Sequence, residues 1–148
     1  MIVNYVNEIQ VLYKPRLDLT PLTKIVSSTE IVTFLNTIWT DDIEYRERFY
    51  AVYLNRQNKI LGYYLISIGG CSGTVVDTKM IFQPAINFHA SSVILAHNHP
   101  SGNRNPSVQD IRLTKRIVEA GKLLEIPILD HVILTVDSYY SFLTNNQI

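Results

Sequence analysis

Residues 92–97 read Ser-Val-Ile-Leu-Ala-His, a short apolar run bounded by polar residues. A strand that is apolar at nearly every position leaves no face for water, the pattern of a central strand covered on both sides. Residues 98–106, N-H-P-S-G-N-R-N-P, cannot continue it, because Pro, Gly and Asn dominate and require a loop. Ser107 then caps a helix to about Leu124, with Ile111, Ile117, Val118, Ala120 and Leu124 among its apolar positions. A buried strand, a polar loop and a long helix point to a sheet with helices packed on it.

The flanking segments agree. Residues 8–13 (E-I-Q-V-L-Y) read as a short strand, and residues 14–22, with two prolines, as a connector. Ser27 with Glu30 offers a capping box, and Ile31, Phe34, Leu35, Ile38 and Trp39 follow at helical spacing, predicting an amphipathic helix over 28–39 that ends at Asp41-Asp42. Residues 48–54 and 60–68 read as two strands joined by the polar turn 55–59, a hairpin. A loop follows at 69–73, then a short strand at 74–76. Asp77 caps a helix over 78–89, with Met80, Ile81, Ala85, Ile86 and Phe88 as candidate buried positions. Pro84 inside it predicts a kink or a break into two short turns. A last strand region, 126–136, is interrupted by Asp130-His131, and 138–143 reads as a final helical turn. The element order is mixed α/β.

Length and composition narrow the function classes. A chain of 148 residues, 47% hydrophobic and 18% charged with 6 Gly and 6 Pro, is a single folded domain, neither disordered nor collagen-like. Thirteen basic against thirteen acidic residues argue against a charge-driven nucleic-acid binder. The single cysteine, Cys71, excludes an internal disulfide and a Cys-rich zinc cluster. The first eight residues lack a secretory signal pattern, and no apolar run approaches the roughly 18–20 residues needed to span a bilayer. A soluble, cytoplasmic protein is the expectation.

The chemistry-bearing residues sit in and around the loop. At a strand end, residues i and i+2 project to the same side, so His97 and His99 present two imidazoles to one point. Asp110 lies in the first turn of the next helix, where the macrodipole favours its ionised form. Two imidazoles and one carboxylate make a three-ligand set for Zn²⁺ with a fourth position left for water, the arrangement of a catalytic site. Ser107 reads first as the N-cap, accepting from the Asp110 backbone N–H. Its own proton remains to donate and can steady a developing oxyanion. A proton shuttle also needs an acid/base group; Glu47, just before the strand 48–54, is the candidate, with Glu44 a neighbouring alternative.

His-x-His, seven residues, then Ser-x-x-Asp resembles the metal motif of the JAB/MPN (JAMM) metalloprotease superfamily, and the wording H-N-H-P-S-G-N-R-N-P-S-V-Q-D is similar to its RadC-like branch. Glu47 in R-E-R-F, Ser72-Gly73-Thr74, the string V-D-T-K-M-I-F-Q-P-A-I from Val76, A-S-S-V-I-L-A from Ala90 and L-D-H from Leu129 extend the likeness over about residues 28–136. The resemblance implies a zinc-dependent hydrolase with a cytidine-deaminase-like three-layer fold, a mixed central sheet flanked by helices. It implies His97, His99 and Asp110 as ligands, Glu47 as base and Ser107 as oxyanion donor. Longer members of the family carry a helix-hairpin-helix module ahead of this domain, and residues 1–27, read here as the N-terminal strand and connector before a domain at 28–148, are too short for one. At Asp77-Thr78-Lys79 many relatives have His-Pro-Arg-Glu.

The resulting expectation is a metallopeptidase acting on an amide bond of a peptide or isopeptide. The alternatives are a non-catalytic metal-binding module serving DNA-processing or mobile-element partners, and a zinc hydrolase of nucleic acid or a nucleotide. His131 reads as a partner of the site or as a polar residue at a strand interruption, and the interruption favours the second. Arg112, Lys115, Arg116 and Lys122 form a basic helix face, interrupted by Glu119, that reads as solvated. His89 reads as a helix-end residue and Cys71 as passive.

Overall fold

The structure is a computed structural model in which residues 23–39, 43–69 and 75–148 are described. The strand expected at 8–13, its connector to residue 22, Asp41-Asp42 and Cys71 lie outside those residues. The elements run α1 (Ser28–Ile38), β1 (Arg48–Leu54), β2 (Ile60–Ile68), α2 (Thr78–Asn87), β3 (Ser92–Asn98), α3 (Val108–Leu123), β4 (Ile128–Leu134) and β5 (Tyr139–Ser141). Among the described residues, five strands form one mixed sheet in the order β2-β1-β3-β4-β5, and only β3 and β4 pair in parallel, with α3 as the crossover that parallel pairing requires.

Side-chain alternation sorts the sheet into two faces. Phe49, Ala51, Tyr53, Val93 and Leu95 pack under α2 and α3 with Ile81, Phe82, Ala85 and Ile117. Tyr50, Val52, Leu54, Ile94, Ala96, Val132 and Leu134 pack against Ile31 and Leu35 of α1 and Trp39 just after it. The fold is thus helix, sheet, helices, the three-layer α/β arrangement expected. Every residue of β3 is buried, as its apolar run predicted.

Five local expectations change. β4 runs without interruption, because buried Asp130 is fully partnered: its carboxylate accepts from the Ser28 and Ser141 hydroxyls at 3.1 and 2.7 Å and from the His131 and Leu143 backbone N–H groups at 2.7 and 3.0 Å. The expected helical turn at 138–143 is instead strand β5 followed by a turn, since Tyr139–Ser141 pairs with the otherwise open edge of β4. Helix α2 runs unbroken through Pro84, and only Ile81, Phe82 and Ala85 are buried; Met80, Ile86 and Phe88 are exposed. Val75 and Val76 are not in a strand. The capping box of α1 is also altered: Ser27 accepts from Glu30 N at 3.3 Å, while the Glu30 carboxylate takes the Val26 N–H.

Candidate metal centre

β3 ends beneath the N-terminus of α3, and there the sequence signals converge. His97 Nε2 lies 3.0 Å from His99 Nε2 and 3.3 Å from Asp110 Oδ1, and His99 Nε2 lies 3.4 Å from Asp110 Oδ2. His97 is 1% exposed and reaches the group from inside the fold, whereas His99 and Asp110 are half-buried at its rim. His97, His99 and Asp110 form a group that can hold a metal ion.

The donor set fits such an ion on two counts. One ligand atom from each of the three residues lies within 4.8 Å of the others, close enough to be drawn onto a single tetrahedral ion with bonds of about 2.0–2.1 Å. The proton inventory agrees. His99 Nδ1 lies 2.6 Å from the Asn103 carbonyl oxygen, which can only accept, so Nδ1 carries the proton and a neutral His99 turns its Nε2 lone pair toward Asp110. Two acceptors facing each other at hydrogen-bond distance need a cation or a proton between them.

The electrostatics reflect that need. Burial opposes the charge of Asp110, but the closeness of the His97 and His99 rings outweighs it and holds the carboxyl well below the usual range. The bond to Asp110 in turn holds the His99 imidazole above its ordinary value, against the pull of burial.

Ser107 and Asp110 form the capping box of α3: the Ser107 hydroxyl accepts from Asp110 N at 3.1 Å, and Asp110 Oδ2 accepts from Ser107 N at 2.7 Å. The same hydroxyl donates to Asp110 Oδ2 at 2.6 Å. Its proton is therefore turned toward the carboxylate here, and donation to a substrate oxygen requires the hydroxyl to rotate.

Glu47 lines the same cleft, of about 790 Å³, as His99, Ser107, Asp110, Arg112 and Arg116. Glu44 is exposed and outside it, so of the two candidate acids the fold brings only Glu47 to the ligands. Burial pushes the Glu47 carboxyl up; nearby His97 pulls it back, and Asp110 adds to the rise. Of the four basic residues on α3, Arg112 and Arg116 line the cleft, while Lys115 and Lys122 are exposed outside it.

Asn98 and Thr114 escaped the sequence reading, and His131 admits two readings there. Asn98, wholly buried, accepts from Arg48 N at 2.7 Å and donates to the carbonyls of Ile43 and Arg46 at 2.6 and 2.8 Å. It thereby clamps the segment that carries Glu47. His131 marks no strand interruption and matches the other reading, a partner of the site: it is fully buried, with Nε2 2.8 Å from His97 Nδ1 and Nδ1 2.6 Å from Thr114 Oγ1. Burial holds His131 well below its ordinary value. The one available signal was alternation, which puts His131 of β4 on the sheet face of His97; no local pattern announced Thr114.

Fold and site together define an α/β domain with a candidate His-His-Asp metal centre where its central strand meets a helix. This chain belongs to the RadC-like JAB domain family, whose model matches residues 25–147. It is 41% identical over 125 residues to a UPF0758 protein of Flavobacterium johnsoniae, covering 84% of this chain and 54% of that one. A UPF0758 protein of Methanosarcina mazei is 38% identical over 121 residues, 82% of this chain and 52% of its own length. One from Thermosynechococcus vestitus is 45% identical over 95 residues, 64% and 38%. The chain spans about half the length, or less, of these curated relatives. Among the described residues no helix is long and apolar enough to cross a membrane.

Proposed function

We propose that this domain is a zinc-dependent hydrolase that cleaves an amide bond in a peptide or isopeptide substrate. The observation that carries the proposal is the gathering of one ligand atom from each of His97, His99 and Asp110 within 4.8 Å of one another, beside a cleft that also holds a carboxyl raised by burial. His97, His99 and Asp110 would hold the ion. Bound there, zinc supplies a Lewis acid and a coordinated water with a pKa near 7. Glu47 is the group to take the water's proton and return it to the leaving amine, a role for which a raised carboxyl pKa suits neutral pH. Ser107, once its hydroxyl turns from Asp110, is the donor to the developing oxyanion. Arg48 N and the Ile43 and Arg46 carbonyls, gripped by Asn98, keep the Glu47 segment against the cleft.

Zinc content and turnover test this separately. Protein purified without chelators should carry about one zinc per chain, lost in His97→Ala and Asp110→Ala. The zinc-loaded protein should cleave members of a peptide and isopeptide library, and Glu47→Gln should abolish cleavage while keeping the metal. Failure to take up zinc, even on reconstitution, refutes the metal role. Stoichiometric zinc with no cleavage across the library refutes the hydrolase reading and leaves a metal-binding module, for which saturable DNA binding would indicate a DNA-processing context.

A further inference from the structure

Behind the cleft, His97 is joined to a closed chain of hydrogen bonds. The Thr114 hydroxyl donates to the backbone carbonyl of Asp110 at 2.7 Å, and its oxygen lies 2.6 Å from His131 Nδ1. His131 Nε2 lies 2.8 Å from His97 Nδ1. A carbonyl oxygen can only accept, so Thr114 gives its single proton there and must accept from His131. His131 therefore carries its proton on Nδ1. Fully buried, with its ring nitrogens against a hydroxyl and another imidazole and neither an anion, it holds that one proton and offers Nε2 as an acceptor. Across the next 2.8 Å the donor has to be His97 Nδ1. A neutral His97 protonated at Nδ1 keeps its lone pair on Nε2, the atom that faces His99 and Asp110.

Packing makes this arrangement rigid. Thr114, His131 and His97 are each no more than 1% exposed, so bulk water does not compete for these bonds. Phe142 stacks on the His131 ring with centroids 4.8 Å apart, and Phe49 lies parallel to His97 at 5.8 Å. Neither Thr114 nor His131 lines the cleft, so neither is positioned to touch a substrate held there.

We propose that Thr114 and His131 are positioning residues that lock His97 in its Nδ1–H tautomer and thereby set the affinity of the site for a divalent metal ion. This rests on the metal-holding role proposed above and extends it from three side chains to five. With the Thr114 acceptor gone, His131 is free to move its proton to Nε2 and donate to His97. The His97 proton would then sit on Nε2, facing the ion's position.

The test uses Thr114→Val, which keeps the shape and removes the acceptor, and Thr114→Ser, which keeps the hydroxyl. Long-range ¹H–¹⁵N spectra of the metal-free wild type should show both His97 and His131 protonated at Nδ1. Competition of Zn²⁺ against a chromophoric chelator should show Thr114→Val weakened about 10–100-fold, with Thr114→Ser near wild type. A general packing defect would not produce that rescue together with a tautomer change. A wild-type spectrum with His131 protonated at Nε2 overturns the proposal, as does equal zinc affinity in wild type and a folded Thr114→Val. If Thr114→Val fails to fold, the wild-type spectrum and His131→Gln, which should also bind zinc more weakly, decide it. A wild type that shows the stated tautomers but takes up no zinc refutes the metal-holding reading, and with it the affinity claim, while the tautomer assignment survives on its own evidence.

Discussion

Replacing Asn98 by alanine should unfasten the Glu47 segment without removing a proposed metal ligand. The side chain is wholly buried and makes three bonds, all to backbone and all between 2.6 and 2.8 Å, across a sequence gap of 50 residues or more. Net contributions of about 0.5–1.5 kcal/mol per bond put the loss near 3 kcal/mol. For a domain of this size each kcal/mol moves the melting midpoint by about 2–4 °C, so a fall on the order of 10 °C is expected. Urea unfolding of the metal-free protein measures it, with a lower midpoint at an unchanged slope. Asn98→Asp adds a sharper contrast. It keeps an acceptor for Arg48 N but turns a carboxylate oxygen toward the Ile43 and Arg46 carbonyls, so at neutral pH it should be at least as damaging as alanine. Amide exchange at Arg48 should accelerate in the alanine variant. A loss below about 1 kcal/mol in Asn98→Ala, with Arg48 exchange unchanged, would refute the clamp, since a buried amide partnered this fully cannot be removed so cheaply.

Gly121 lies in α3 where a Cβ would sit 2.6 Å from the Ile126 carbonyl oxygen, so Gly121→Ala should destabilise by about 1–3 kcal/mol in urea unfolding, and wild-type stability would disprove that close approach. Because the Glu47 carboxyl is raised, the folded chain keeps a proton that the unfolded chain releases above about pH 4.3. The metal-free protein should therefore lose stability as pH climbs from there through the raised value, and Glu47→Gln should flatten that part of the curve. Identical urea midpoints against pH for the two proteins would contradict it. Zinc at 100 times its dissociation constant should stabilise the fold by about 2.7 kcal/mol, seen as a rise in thermal midpoint, and His99→Ala should abolish the shift; an equal shift in that variant would place the ion elsewhere.

Much of the site was legible because its geometry is local. His97 and His99 share a side through strand periodicity, and Ser107 with Asp110 is a capping box closed within four residues, as the structure confirms. The same local rules located α1, the β1–β2 hairpin, the buried β3 and α3. They misjudged the stretch from Asp130 to Leu143. A buried carboxylate looks like an interruption until hydroxyls from Ser28 and Ser141, 102 and 11 residues away, arrive to satisfy it.

The residues around the ligands show the same division. Glu44 and Glu47 are equivalent by sequence, and the choice between them follows from Asn98 gripping backbone 50 residues earlier. Thr114 bears no local mark of a role and His131 only an ambiguous one, since their roles arise through contacts 17 and 34 residues distant in the chain. Periodicity and capping act within a turn or a strand and can be read from neighbouring letters. The partner of a buried polar group depends on which strands pair and which helix crosses over them, and that is settled when the chain packs.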